Sequence, residues 1–168
     1  THSLLSFAQR TAEAAPVQTV PTALIDERLI VGDPVDEALL IDAIGAARVW
    51  PPRDFFVAKR EELRVRHARF GDTSDNLEPN IKDGPGGLRD LHTLGWMALR
   101  TFGVRDLEPL VGMGHLGQDE AVALARERRA LGRLRYGLHR VAGRAEERLR
   151  FDYQKTLAQR LGFADDAE

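Results

Sequence analysis

The chain has 168 residues, 43% of them hydrophobic and 30% charged, with a net charge of -2 and no cysteine. That profile fits a globular domain and gives no overall electrostatic case for nucleic acid. It excludes disulfides and thiolate metal sites, which fits a reducing, cytoplasmic setting. No run approaches the 18 apolar residues of a membrane span, and the opening THSLLSFAQR lacks the form of a signal peptide.

Taken in chain order, residues 3–14 read as a helix, with Leu4, Leu5, Ala8 and Ala12 on one side. The chain opens on Thr1, not Met, and periodicity starts almost at once. This suggests a piece of a longer chain, although removal of an initiator Met would leave the same start. After Pro16, a pattern with Leu24, Ile25, Arg28 and Leu29 predicts a second helix, with a strand as the rival reading; Gly32-Asp33-Pro34 ends it. A helix over about 35–48 carries Leu39, Leu40, Ala43, Ile44 and Ala47. Pro52 suits the first turn of another, running to about residue 69. Phe56, Leu63 and Phe70 mark its expected apolar side, with Lys59 and His67 only partly buried between them. Arg53, Arg60, Glu61 and Arg64 face water or a partner.

Residues 71–87 are irregular. Leu88–Thr101 is the clearest helix, with Leu88, Leu91, Leu94 or Gly95, Ala98 and Phe102 in register and Gly103 as its C-terminal cap. A short turn near 107–111 and the link Gly112–Gly117 follow. Asp119 and Glu120 open a long helix reaching Ala142, in which Gly132 and Gly137 permit close packing. A last helix over 153–161 ends at Gly162. The expected fold is mainly all-α, a bundle-like helical region around an irregular Gly/Pro-rich central loop.

That loop, EPNIKDGPGGLRD at 78–90, holds three glycines, two prolines, three acids and two bases. Gly84, Gly86 and Gly87 allow tight turns and close backbone approach. Amides at the start of the next helix are suited to phosphate. Lys82 and Arg89 supply positive charge, and the Arg89 fork fits a phosphate or a carboxylate. The segment is neither a P-loop nor a dinucleotide fingerprint. A glycine-shaped helix entrance, with Arg89 bridging Glu78 or Asp83 and Asp90 in a salt bridge, accounts for the same residues. His92, one turn after Arg89, could line a pocket or simply lie on the helix surface. Asp72, Asp75, Asp83 and Asp90 lack calcium-loop spacing. His67, His92, His115 and His139 form no metal motif. Trp50 and Trp96 read as packing residues. Arg126, Arg129, Arg133, Arg140 and Arg144 give the long helix a basic side, either solvated or facing an anionic partner or another domain of a longer chain.

EPNIKDGPGGLRDLHTLGWMALRTFG at 78–103 resembles the segment after the nucleotidyltransferase domain in the bacterial PII uridylyltransferase/uridylyl-removing family. LIDERLIVGD at 24–33, WPPRDFFVAKREELRVRHARFGDTSDNLEPNIK at 50–82 and RLRFDYQKTLAQRLGF at 148–163 agree with it, in order. A shorter GPGGLRD-like run occurs in glutamine synthetase adenylyltransferases, but 76–80 and 151–154 favour the PII-modifying branch. The resemblance implies a parent enzyme that moves UMP from UTP to a tyrosine of the PII protein and removes it again. It implies magnesium held by an aspartate pair upstream, and an HD hydrolase domain downstream. Residues 1–49 would then be the helical tail of the transferase region and 50–168 the following helical domain. No catalytic or metal residue is expected here. Lys82, Gly84, Gly86, Gly87, Arg89, Asp90 and His92 are the candidates for nucleotide or interdomain contact. The rival readings are a non-enzymatic module that binds PII or another domain, and part of an adenylyltransferase. No nucleic-acid or membrane partner is expected.

Overall fold

A computed structural model describes Thr22, Val31 and residues 33–45, 49–71 and 76–163. The helices expected over 3–14 and 24–29 lie outside these residues. Among the described residues the chain is all-α, with a single isolated antiparallel bridge, Asn80 to Arg148, and no strand. The helices are α1 (Pro34–Ala43), α2 (Pro52–Ala68), α3 (Leu88–Phe102), α4 (Pro109–Gly112), α5 (Gln118–Ala142) and α6 (Phe151–Leu161). Of the described residues, those up to Glu62 together with Leu94–Leu107 form one compact unit. Leu63–Thr93 and the residues from Glu108 onward form a second.

In the first unit, α1 begins at a capping aspartate: Val35 N–H donates to Asp33 Oδ1 at 2.9 Å, and Pro34 opens the helix. The helix stops at Ala43, short of the expected residue 48. Beyond its end the carbonyls of Ile44 and Gly45 turn to Arg100, whose Nη1 and Nη2 reach them at 2.9 and 3.4 Å. Arg100 Nε also donates to Trp50 O at 2.8 Å. Trp50 has φ 55°, the only positive value at a non-glycine among the described residues. Burial pulls the Arg100 guanidinium below its ordinary pKa, and three carbonyls compensate the charge.

The core of this unit is Phe55, packed by Trp50, Ala58, Trp96 and Leu99. The expected stripe on α2 is out only at its first member, since Leu63 and Phe70 are half-buried. Phe55 is fully buried, while Phe56 is 46% exposed. Lys59 is not the partly buried residue expected either, being 1% exposed one turn after Phe55. Its ammonium lies 5.0 Å from the Trp96 ring centre and 5.8 Å from that of Phe55, and it donates to Glu62 at 2.7 Å. Two aromatic faces and a carboxylate replace the water a lysine normally needs. Both tryptophans pack here, as their sequence context suggested.

The second unit is built on α5 and α6. Ile81, Leu138 and Leu157 form its centre, surrounded by Leu134, Val141, Leu149, Tyr153 and Leu161. Close approach of the two helices depends on Gly137, where an added Cβ would stand 2.7 Å from Leu157 Cδ1. Gly132 faces open space and has no such role. Glycines in the left-handed region close α5 and α6, Gly143 at φ 67° and Gly162 at φ 82°. Helix α6 starts two residues before the expected 153, because the Glu78 carboxylate accepts from Phe151 N–H at 2.9 Å. That cap comes from far upstream and has no local signature.

Candidate functional site

Residues 78–90 lie in the second unit as a backbone coil fixed at both ends. Ile81 N–H donates to Glu147 O and Leu149 N–H to Pro79 O, both at 2.9 Å. Gln154 Nε2 donates to Leu77 O at 2.8 Å, and Arg148 Nε to Glu78 O at 3.3 Å. The two short runs that single out the PII-modifying branch, 76–80 and 151–154, are thus in direct contact.

Asn80 shapes the first turn, its Oδ1 accepting from Lys82 N–H at 3.1 Å and Asp83 N–H at 2.7 Å. The chain then folds back so tightly that side chains are excluded at two points. A Cβ on Gly84 would meet Asn80 O at 2.6 Å. One on Gly87 would meet the carbonyl oxygens of Lys82, Gly84 and Ile81 at 2.8, 2.9 and 3.0 Å. Gly86, exposed, turns the chain with φ 74°.

The amides at the start of α3 are already occupied. Leu88 N–H donates to Ile81 O at 3.1 Å, Arg89 N–H to Lys82 O at 2.7 Å and Asp90 N–H to Gly87 O at 3.0 Å. Gly87 N–H donates to Gly84 O at 2.9 Å and Gly86 N–H to Asp90 Oδ2 at 2.8 Å. An anion arriving here would meet side chains, not a nest of amides.

Asp90 is the hub. Besides Gly86 it accepts from Arg66 Nη2 at 2.7 Å, and His67 Nε2 lies 3.0 Å from both its oxygens. Arg66 Nη1 also reaches Asp83 O at 2.9 Å. Burial alone would raise the Asp90 pKa. The hydrogen bonds from His67, Arg66 and Gly86 outweigh burial and hold the carboxyl below its ordinary range. Asp90 therefore ties the last turn of α2 to the loop and to the first turn of α3.

Arg89 points back along the loop, its Nε 3.3 Å from Asp83 Oδ1, with the two side chains 31% and 36% exposed. Glu78, the other partner considered for it, is engaged at α6. Lys82 Nζ lies 3.8 Å from Glu147 Oε1, beyond hydrogen-bond reach. Glu147 is held more firmly by Arg135, through Nε at 2.8 Å and Nη2 at 2.6 Å. That pairing, with burial opposing it, lowers the Glu147 pKa. His139 Nε2 lies 3.7 Å from the same oxygen. His92 is exposed on α3.

Sequence reasoning missed Asn80, Arg66, His67, Arg135 and Glu147. Only Asn80 carries a local signal, an asparagine two residues before a turn. The others pair across 12 to 24 positions. The donors around Asp90 and the Arg89 contact at Asp83 make both carboxylates poor ligands for magnesium. Among the described residues no group of three or more His, Asp or Glu side chains could hold a metal ion. Asp72 and Asp75 lie outside those residues. Among the described residues no helix is long and apolar enough to cross a membrane.

The family pattern described as GlnD PII-uridylyltransferase matches residues 54–168. A bifunctional uridylyltransferase/uridylyl-removing enzyme of Xanthomonas axonopodis pv. citri is 71% identical over 99% of the chain and 19% of its own length. One from Xanthomonas oryzae pv. oryzae is 72% identical over 92% of the chain and 18% of its length, and one from Azotobacter vinelandii 46% over 97% and 18%. The chain belongs to the GlnD PII-uridylyltransferase family and corresponds to a helical region of these bifunctional enzymes. It spans about a fifth of the length of the curated relatives it matches. No solved structure matches it.

Proposed function

We propose that the chain is the helical accessory region of an enzyme that transfers UMP from UTP to a tyrosine of the PII nitrogen-regulatory protein. In this reading Lys82 and Arg89 meet phosphate oxygens, or the domain that carries the nucleotide. The observation that carries it is the contrast at the coil. The amides from Ile81 to Asp90 are spoken for, which leaves Lys82, 3.8 Å from Glu147, and the Arg89 side chain, 31% exposed, as the cations an anion would meet. A phosphate oxygen could replace the distant Lys82 contact with Glu147 at small cost. Developing charge on the phosphoryl oxygens would gain from such groups. Gly84, Gly86 and Gly87 set the coil, and Asp90 positions Arg89 by holding the first turn of α3. His92 lies on the same helix, a turn away.

The tyrosine oxygen attacks the α-phosphorus and pyrophosphate leaves. The Asp83 and Asp90 carboxylates are engaged by donors and do not fit magnesium. Magnesium, the transferase core and the HD domain belong to the remainder of the longer enzyme. The proposed boundary near residue 50, between a transferase tail and a helical domain, lies close to the start of the family match at residue 54, although Arg100 ties Ile44 and Gly45 to the residues beyond it. A cytoplasmic setting suits an enzyme that acts on UTP and PII.

The test is an assay of the longer enzyme with UTP and PII against ATP and glutamine synthetase, alongside the isolated 168-residue chain with magnesium. The reading expects UMP transfer only from the longer enzyme with UTP and PII. Preference for ATP and glutamine synthetase, or transfer by the isolated chain, overturns it.

A further inference from the structure

The outward side of α5 is not used by the coil. Val122, Arg126, Arg129, Arg133, Tyr136 and Arg140 fall within one narrow stripe at the helical repeat. All six are exposed, Val122 at 57% and Tyr136 at 67%. Leu134, Leu138 and Val141 occupy the opposite side and fill the core. Arg126 pairs with its neighbour Glu127 at 2.8 Å. Arg129, Arg133 and Arg140 have no ion-pair partner among the described residues. The stripe from Arg126 to Arg140 is about 21 Å long at 1.5 Å per residue.

The geometry points to a docking surface for an acidic helix of a protein partner. Three features favour that occupant. Arg126, Arg133 and Arg140 recur every seven residues, the period at which a packed partner helix presents side chains. Arginine forks match carboxylates two bonds at a time. Val122 and Tyr136 place apolar and aromatic surface among the charges, the mixture found at protein interfaces. A polyphosphate chain has no apolar surface to set against Val122 and Tyr136. A bilayer would find no apolar side to insert, because that side of α5 is already buried in the core.

The test uses a labelled three-heptad peptide with glutamate at one fixed position in each heptad, titrated into the 168-residue chain by fluorescence anisotropy. Arg133→Glu/Arg140→Glu reverses two charges of the stripe, and Arg53→Glu/Arg60→Glu reverses two exposed charges on α2. Circular dichroism checks that each variant melts as the parent does. The inference expects binding that the stripe variant weakens by about tenfold or more and the α2 variant leaves within about twofold. It also expects a short DNA duplex and phosphatidylserine vesicles to bind more weakly than the peptide. Absence of peptide binding, equal loss in both variants, or tighter binding of duplex or vesicles overturns it.

Discussion

Replacing Asp90 with alanine removes the acceptor shared by Gly86 N–H, Arg66 and His67. The Asp90 side chain is 21% exposed and that of Arg66 12%, so the pair is largely but not fully withdrawn from water. A hydrogen bond to a charged group contributes about 1.5–3 kcal/mol, and breaking a fully buried pair costs about 3–5 kcal/mol. Partial exposure and shared geometry place Asp90→Ala near the bottom of that second range, at about 3 kcal/mol. Asp90→Asn keeps an acceptor for Gly86 but loses the charge, and should cost about half as much. The double variant with Arg66→Ala should show a coupling of about 1–2 kcal/mol. Urea unfolding followed by circular dichroism at neutral pH measures all three.

The pH dependence follows the same carboxylate. Its folded pKa lies below the unfolded value of about 3.9, so its contribution is complete above that value. The contribution is lost as pH falls through the folded pKa. Asp90→Asn lacks this term, so its deficit against the parent should narrow below about pH 4. An alanine variant within about 0.5 kcal/mol of the parent, or a deficit that stays constant into acid, would refute the hub.

Other substitutions test the remaining contacts. Gly87→Ala places a methyl against three backbone oxygens that cannot swing away, and should cost about 2–3 kcal/mol in thermal melts. Gly132→Ala meets open space and should stabilise α5 by up to about 1 kcal/mol. Gly137→Ala meets buried Leu157, and overpacking of about 1–3 kcal/mol should cancel the same gain. Equal melting temperatures for the two alanine variants would count against the α5–α6 contact. Lys59→Met keeps the stem and drops the charge, while Glu62, 25% exposed, can turn to water. It should fall within about 1 kcal/mol of the parent, whereas Lys59→Ala should lose about 2–3 kcal/mol by opening a cavity. A methionine variant as damaged as the alanine variant would make the ion pair, not the packing, the main term.

Helices α3, α5 and α6 were legible because apolar spacing and terminal glycines agree along a single segment. The start of the α2 stripe was not. Phe55 and Phe56 are adjacent aromatics, and what selects Phe55 is Trp96 and Leu99, some forty residues later in the chain. Lys59 is the stronger case, since no local rule places a lysine in a core, and the aromatic faces that accept it come partly from that later helix. The coil was legible as a glycine-shaped helix entrance. Its occupied amides were not, because Ile81 and Lys82 carbonyls fold back onto Leu88 and Arg89 only once Gly84 and Gly87 have let the chain close. Arg66, His67 and Asp90 carry no shared pattern, being joined only when α2 and the coil meet.

The proposed role of Arg89 and Lys82 is contact with the nucleotide, or with the domain that carries it, in the longer enzyme. It is tested most directly by steady-state UMP transfer from UTP to PII for Arg89→Ala and Lys82→Ala in that enzyme, with melting curves to confirm folding. The account predicts a raised KM for UTP, a lowered transfer rate, or both, by about tenfold for Arg89→Ala and less for Lys82→Ala. Folded variants that transfer UMP with the parent's rate and UTP dependence would contradict it.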